Sequence, residues 1–413
     1  MKQVLCARSV VAPLNSSTTY ANPAQSLAFS GTASISTAPW AADGTLSNLI
    51  VTLGTAPGSG KSWTFTIVIN GSDTAITVTI SDAATTARDT THTASIAPGD
   101  TIALKSVPSG TPSALGTSGV RTALEFDGTN AAESGYAVAG NAIHIVSTRY
   151  NGLFQGDEWN ATASLIHNVA AAAGTVTDLY AVLSAAPGAT KSVDFAIYKN
   201  GTKQDGSGGT VDTRLSIANA ATTGSVSFSL SVAAGDTLYV EAVPVNAPGP
   251  PNASIGCAFT ATTDGESQVC GVFFGNPFTG GGQWTYPLTN ARTSFVDTTE
   301  ANLEFIAGVT AFDLNKLYVV LNGTPGSGKS YTFSMRKNSS SPGGEQSAAV
   351  TDLNTTANDA TGSVSLADGD TFAMQVIPSG GPTSRQWSFG MIQSASGGGG
   401  GGGGLPNAML VSP

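Results

Sequence analysis

Apolar and polar residues alternate one for one through much of this chain. Trp63-Thr-Phe-Thr-Ile, Thr77-Val-Thr-Ile, Ser225-Val-Ser-Phe-Ser-Leu-Ser-Val and Ser363-Val-Ser-Leu each place apolar side chains on one face and small polar ones on the other. A period of two belongs to a strand with one buried face, and no stretch carries the period of an amphipathic helix. Gly, Asn and Asp fill the gaps, and Gly224 and Gly362 stand immediately before two of the runs. Short strands between regular turn signals predict an all-β protein built of antiparallel β-sandwiches of the jelly-roll kind, about eight strands in two packed sheets.

The pattern is repeated. Asn48 to Gly71 reads NLIVTLGTAPGSGKSWTFTIVING, Asp178 to Gly201 reads DLYAVLSAAPGATKSVDFAIYKNG, and Lys316 to Ser339 reads KLYVVLNGTPGSGKSYTFSMRKNS. Each is followed by a second shared block: APGDTIALKSVPSGTP from Ala97, AAGDTLYVEAVPVNAP from Ala233 and ADGDTFAMQVIPSGGP from Ala367. Lys61, Lys191 and Lys329 lie 130 and 138 residues apart, the size of one sandwich domain rather than of a solenoid turn. The organisation expected is three tandem domains at residues 1–140, 141–267 and 268–395, then a Gly-rich tether and C-terminal peptide at 396–413.

Composition narrows the partners. Only 11% of residues are charged and the net charge is −10 with 17 basic residues, so the basic patch that nucleic acid demands is missing. No apolar segment has the length of a bilayer span, and the start, MKQVLCARSVVAPLNSS, lacks the apolar run of a signal peptide. The expectation is a chain made in a cytoplasm without export. Cys6, Cys257 and Cys270 match no zinc spacing and read as buried thiols.

The sharpest motif is GTPGSGKS, Gly323 to Ser330, which satisfies the phosphate-loop pattern. That loop works only when a helix follows, because the helix N-terminus faces the anion. Here strands follow in all three copies: WTFTIVI, VDFAIYK and YTFSMRK. Copy two has Ala189-Thr190 in place of Ser-Gly, and copy one has Thr55 where the first Gly is required. The motif therefore reads as a tight turn between two antiparallel strands, with Lys and Ser solvated or capping it. In the Gly-Asp-Thr blocks, Asp100, Asp236 and Asp370 read as residues that bond their own turn backbone. His92, His144 and His167 are scattered, and no nucleophile elbow or carboxylate pair stands out. No enzyme, cofactor or metal site is expected.

Two stretches carry recognition chemistry. In CGVFFGNPFTGGGQWTYPL, Cys270 to Leu288, the residues Phe273, Phe274, Phe278, Trp284 and Tyr286 crowd around glycines, and aromatics in loops stack on sugar faces or anchor protein interfaces. The plainer reading aligns this stretch with RYNGLFQGDEWNA, Arg149 to Ala161, as the first strand and loop of a domain. Eight glycines, Gly397 to Gly404, then tether LPNAMLVSP, whose Leu405, Met409, Leu410 and Val411 are candidates for docking on a neighbouring subunit.

Blocks of the type PGSGKSWTF, TVTIS and APGDTIALKSVPSGTP, repeated in a poorly charged chain, resemble the tandem β-sandwich repeats of bacteriophage virion proteins. The resemblance covers most of the chain. It implies a head decoration, fibre or tail-associated component located in the virion, partnered by other capsid or tail proteins and commonly a homotrimer. It supplies no catalytic residues. A glycan-binding adhesin of a phage or bacterial surface is the alternative, and a nucleotide-dependent enzyme survives only through GTPGSGKS.

Overall fold

A computed structural model describes residues 2–24, 27–115, 119–138, 140, 143, 146–156, 159–163, 166–249, 251–273, 283–285, 290–291, 296–297, 299–340 and 346–396. Among them the protein is nearly all β, with one helical turn at Ala33–Ser36 and a 3-10 turn at Glu300–Asn302. Six sheets form, and they fall into three pairs.

In the first unit the eight principal strands are Lys2–Val11, Thr19–Ala21, Gly44–Leu53, Gly58–Ile69, Ser72–Asp82, Thr86–Ile96, Thr101–Ser109 and Val120–Gly128. The first, eighth, third and sixth lie side by side in that order in one sheet, and the second, seventh, fourth and fifth form the other. Neighbours are antiparallel throughout. This is the two-sheet jelly roll. The same order recurs in the second unit, from Glu133–Val138 to Ala253–Ala261, and in the third, from Ser267–Phe273 to Trp387–Ala395. Even a bulge recurs: Asn48, Asp178 and Lys316 interrupt the third strand with φ of 55°, 53° and 54°.

The alternation seen in sequence fills the sandwiches. Trp63, Phe65 and Ile67 of one sheet meet Leu46, Leu49 and Val51 of the other, all fully buried. Each such side chain contributes roughly 1.5–3 kcal/mol by leaving water. Cys6, Cys257 and Cys270 are free and buried, as expected, and burial raises all three thiol pKa values.

The expected boundaries need one correction. Glu133–Val138, placed in the first domain by a division at 140, pairs with Ala253–Ala261 and is the first strand of the second unit. Likewise Ser267 opens the third unit's first strand. The first strands KQVLCARSVV, ESGYAV and SQVCGVF differ in length and share little sequence.

The three units also pack on one another, each by the same two surfaces. Short strands Ala38–Pro39, Asn168–Val169 and Phe305–Ile306 pair with the seventh strands of their own units at equivalent positions. Each then lies against the first-and-eighth-strand sheet of the next unit. A Cβ on Gly256 would overlap the Pro39 carbonyl oxygen, one on Gly390 would overlap that of Val169, and one on Gly308 would crowd Val4. Unit one thus docks on two, two on three, and three on one. Core clusters cross every junction: Ala137 and Ala258 join the first unit's core, Cys270 and Ile392 the second's, and Val4, Cys6, Ile50 and Ala123 the third's. Three equivalent heterologous contacts that close on themselves make a threefold ring within one chain.

Candidate functional site

The three Pro-Gly loops occupy one corner of each unit. They are not hairpins. The third strand pairs with the sixth and eighth and the fourth with the fifth and seventh, so the loop carries the chain from one sheet across to the other. The tight connection expected within one sheet lies instead at Asn70-Gly71 and Asn200-Gly201, where paired positive φ values suit a two-residue turn. In each copy one N–H group of the loop is already used by a side chain. Gly60 donates to Asp82 Oδ1 at 2.7 Å, Thr190 to Asn219 Oδ1 at 2.9 Å, and Gly328 to Asp352 Oδ1 at 2.7 Å. Copy two keeps this geometry without two of the glycines, because Thr190 and Asn246 accept φ of 61° and 56° in their place. In every copy the acceptor is a side-chain oxygen of the protein itself.

The Gly-Asp-Thr turns behave as their sequence suggests. The Ala97, Ala233 and Ala367 N–H groups donate to Asp100, Asp236 and Asp370 at 2.8, 2.8 and 2.7 Å. The other carboxylate oxygen takes the amide of Asn70, Asn200 or Asn338 at 2.6–2.7 Å, and that Asn accepts from the next Thr N–H. Lys199 and Lys337 add ion pairs in the second and third copies. These carboxylates are consumed by the fold. Among the described residues no three His, Cys, Asp or Glu side chains converge as metal ligands.

Of the histidines, His92 Nδ1 bonds Asp89 at 3.0 Å. His167 faces the third unit's Phe273, Val320, Asn322, Gln386 and Trp387 across the second junction. Burial lowers its pKa to about 4. His144 lies outside the described residues.

The aromatic stretch divides. Phe273 ends the third unit's first strand, is 1% exposed and stacks on Trp387 at 4.3 Å, so it is a core residue and not a recognition platform. Trp284 sits in Gln283–Thr285, the third unit's second strand, opposite Gln375. Phe274, Phe278 and Tyr286 lie outside the described residues, as do Leu405, Met409, Leu410 and Val411. The proposed alignment with Arg149 to Ala161 also shifts. Arg149–Gly152 is a second strand, so Tyr150 corresponds to Trp284 and to Tyr20, each opposite the same residue of a seventh strand.

That correspondence exposes a cluster the sequence reading missed. Tyr150, Tyr198 and Tyr239 meet on the outward face of the second unit's outer sheet. Tyr198 and Tyr239 stack at 4.8 Å, and Tyr150 stands edge-on to Tyr239 at 5.7 Å. Tyr198 donates to Glu241 Oε1 at 3.1 Å, and Lys203 pairs with the same carboxylate. Burial and Glu241 raise the pKa of Tyr198, and burial raises that of Tyr239 to about 12. All three hydroxyls stay protonated at neutral pH. The first unit has Val68 and Ala103 at the places of Tyr198 and Tyr239, and the third has Arg336 and Ala373. The signal in sequence was a cross-strand pair from blocks far apart, visible only once register is known.

No protein-family model matches the chain, and no curated protein sequence matches it.

Proposed function

We propose that this chain is a non-enzymatic structural component of a bacteriophage particle, of the decoration, fibre or tail-associated kind, acting through contacts with other virion proteins. The observation that carries the reading is where the polar chemistry goes. Carboxylates of the repeated turns bond their own backbone, one N–H of each phosphate-like loop is taken by Asp82, Asn219 or Asp352, and the thiols are buried. What remains for use is surface: three jelly rolls packed on one another, with few charges to desolvate on contact. Jelly rolls serve capsids and lectins alike, so fold supports the class without deciding it. Mass spectrometry of purified particles tests the reading. The chain should be present at high copy number for a decoration role or at a few copies for a fibre, and its absence from particles would refute the proposal.

The glycan-binding alternative keeps one observation in its favour, the Tyr150–Tyr198–Tyr239 cluster with Glu241 beside it. Aromatic faces and a carboxylate acceptor are the groups a pyranose ring uses. A glycan screen with Tyr198→Ala, Tyr239→Ala and Trp284→Ala as controls examines it directly. Saturable binding lost in the tyrosine variants would favour an adhesin.

A further inference from the structure

The ring of three units leaves one chemical feature unused, and it is the motif with which the repeats are marked. Eight of the nine lysines have described side chains. Five are paired: Lys105 with Asp73, Lys199 with Asp236, Lys203 with Glu241, Lys316 with Glu266 and Lys337 with Asp370. The remaining three are Lys61, Lys191 and Lys329, whose Nζ groups make no hydrogen bond or ion pair among the described residues. Their stems are held. The Cδ of each packs over its own loop glycine, Gly58, Gly188 or Gly326, and Gly110 and Gly380 flank the stems of Lys61 and Lys329. A lysine with a packed stem and a free head is an ammonium placed at a defined point on the surface.

Because the three junctions are equivalent, the three lysines occupy the same place in each of the three units of the ring. In a chain of net charge −10, three copies of a cation with no ion pair among the described residues, at equivalent positions, present a threefold contact pattern, which three partner subunits related by a threefold axis would match.

We propose that the Pro-Gly-loop end of the ring is a docking surface for a protein shell with local threefold symmetry, one chain to three shell subunits, each lysine meeting a carboxylate of one subunit. The chain is then a covalent stand-in for a homotrimer. Every interface of the trimeric kind is used up within it, so the oligomer expected from sequence is internal and the free chain is a monomer. That the partner is a virion shell rests on the function proposed above; the threefold arrangement of the lysines does not. Three weak contacts made together also gain by effective concentration, because the first engagement holds the other two in place.

The test uses the full chain and purified particles of the virus that encodes it, prepared without its gene. Wild-type chain added back should saturate at one copy per three major shell subunits, and cryo-electron microscopy should place it on local threefold positions. Lys61→Gln, Lys191→Gln and Lys329→Gln should each weaken binding by about two- to fivefold, and the triple variant by about tenfold to a hundredfold, more at low salt than at high. Circular dichroism and solution mass, which should report a folded monomer throughout, separate loss of contact from loss of fold. Saturation at one copy per shell subunit, a site off the threefold, or full binding by the triple variant overturns the inference and leaves the virion role standing. Absence of wild-type binding to the particles, with the chain also missing from native virions, removes both.

Discussion

At the scale of single residues, the chemistry repeated three times is the chemistry of turns. Asp89 shows how strongly a carboxylate can be committed to that task. Burial pushes its pKa up, but donors from Thr77, His92 and Thr91 and the His92 ring outweigh burial and hold it at about 2, below the ordinary carboxylate value of 3.8. A carboxylate depressed in the folded state stabilises fully above its unfolded value, and the contribution disappears as pH falls from about 4 to about 2. Asp89→Asn should therefore lower stability by roughly 2 kcal/mol at neutral pH and flatten the acid limb of a stability-against-pH curve from chemical denaturation. An unchanged acid limb would show that another group dominates it. The third unit's Asp359, bonded to the Ser347, Thr361 and Gly362 N–H groups, repeats the device. In the second unit Val226, opposite Leu179, takes that place, so the effect should be confined to two units.

At the scale of elements, the short docking strands decide how units meet, and small residues opposite them decide whether they can. Gly256 and Gly390 give the Pro39 and Val169 carbonyls room to approach. Gly256→Val should force the first junction apart by overpacking, at about 1–3 kcal/mol, read as a lower midpoint in thermal unfolding. His167 tests the second junction by pH. Burial lowers its pKa to about 4 from 6.5, so the unfolded chain takes up a proton in that window while the folded one does not. Stability should fall as pH drops from 6.5 towards 4, and His167→Gln should show a smaller fall over the same range. Much at this scale was legible in the sequence. The third, fourth and seventh strands were read from alternation and repeated blocks, and the turn role of Asp100, Asp236 and Asp370 from its position. Two things were not. The Pro-Gly loop looked like a hairpin because local sequence does not record which sheet a strand joins. Phe273 looked like a loop aromatic because its partner Trp387 lies more than a hundred residues away.

At the scale of the whole molecule, the closed ring changes what one broken contact means. In a linear array, losing a junction frees everything beyond it. In a ring of three, the two remaining junctions keep each unit tethered, and the lost contact is held at high effective concentration. Gly256→Val alone should thus leave the radius of gyration nearly unchanged in small-angle scattering while lowering the unfolding midpoint. Adding Gly390→Val opens the second junction as well. The second unit then hangs only on its connections near residues 129–132 and 262–266, while the third still docks on the first through Phe305–Ile306 and Arg121–Glu304. The double variant should expand, and its two losses in stability should fail to add, because the second break releases a unit that the first did not. Additive losses with no expansion would mean that the units hold together by something other than these three repeated contacts, and that the ring is a consequence of their folding and not a determinant of it.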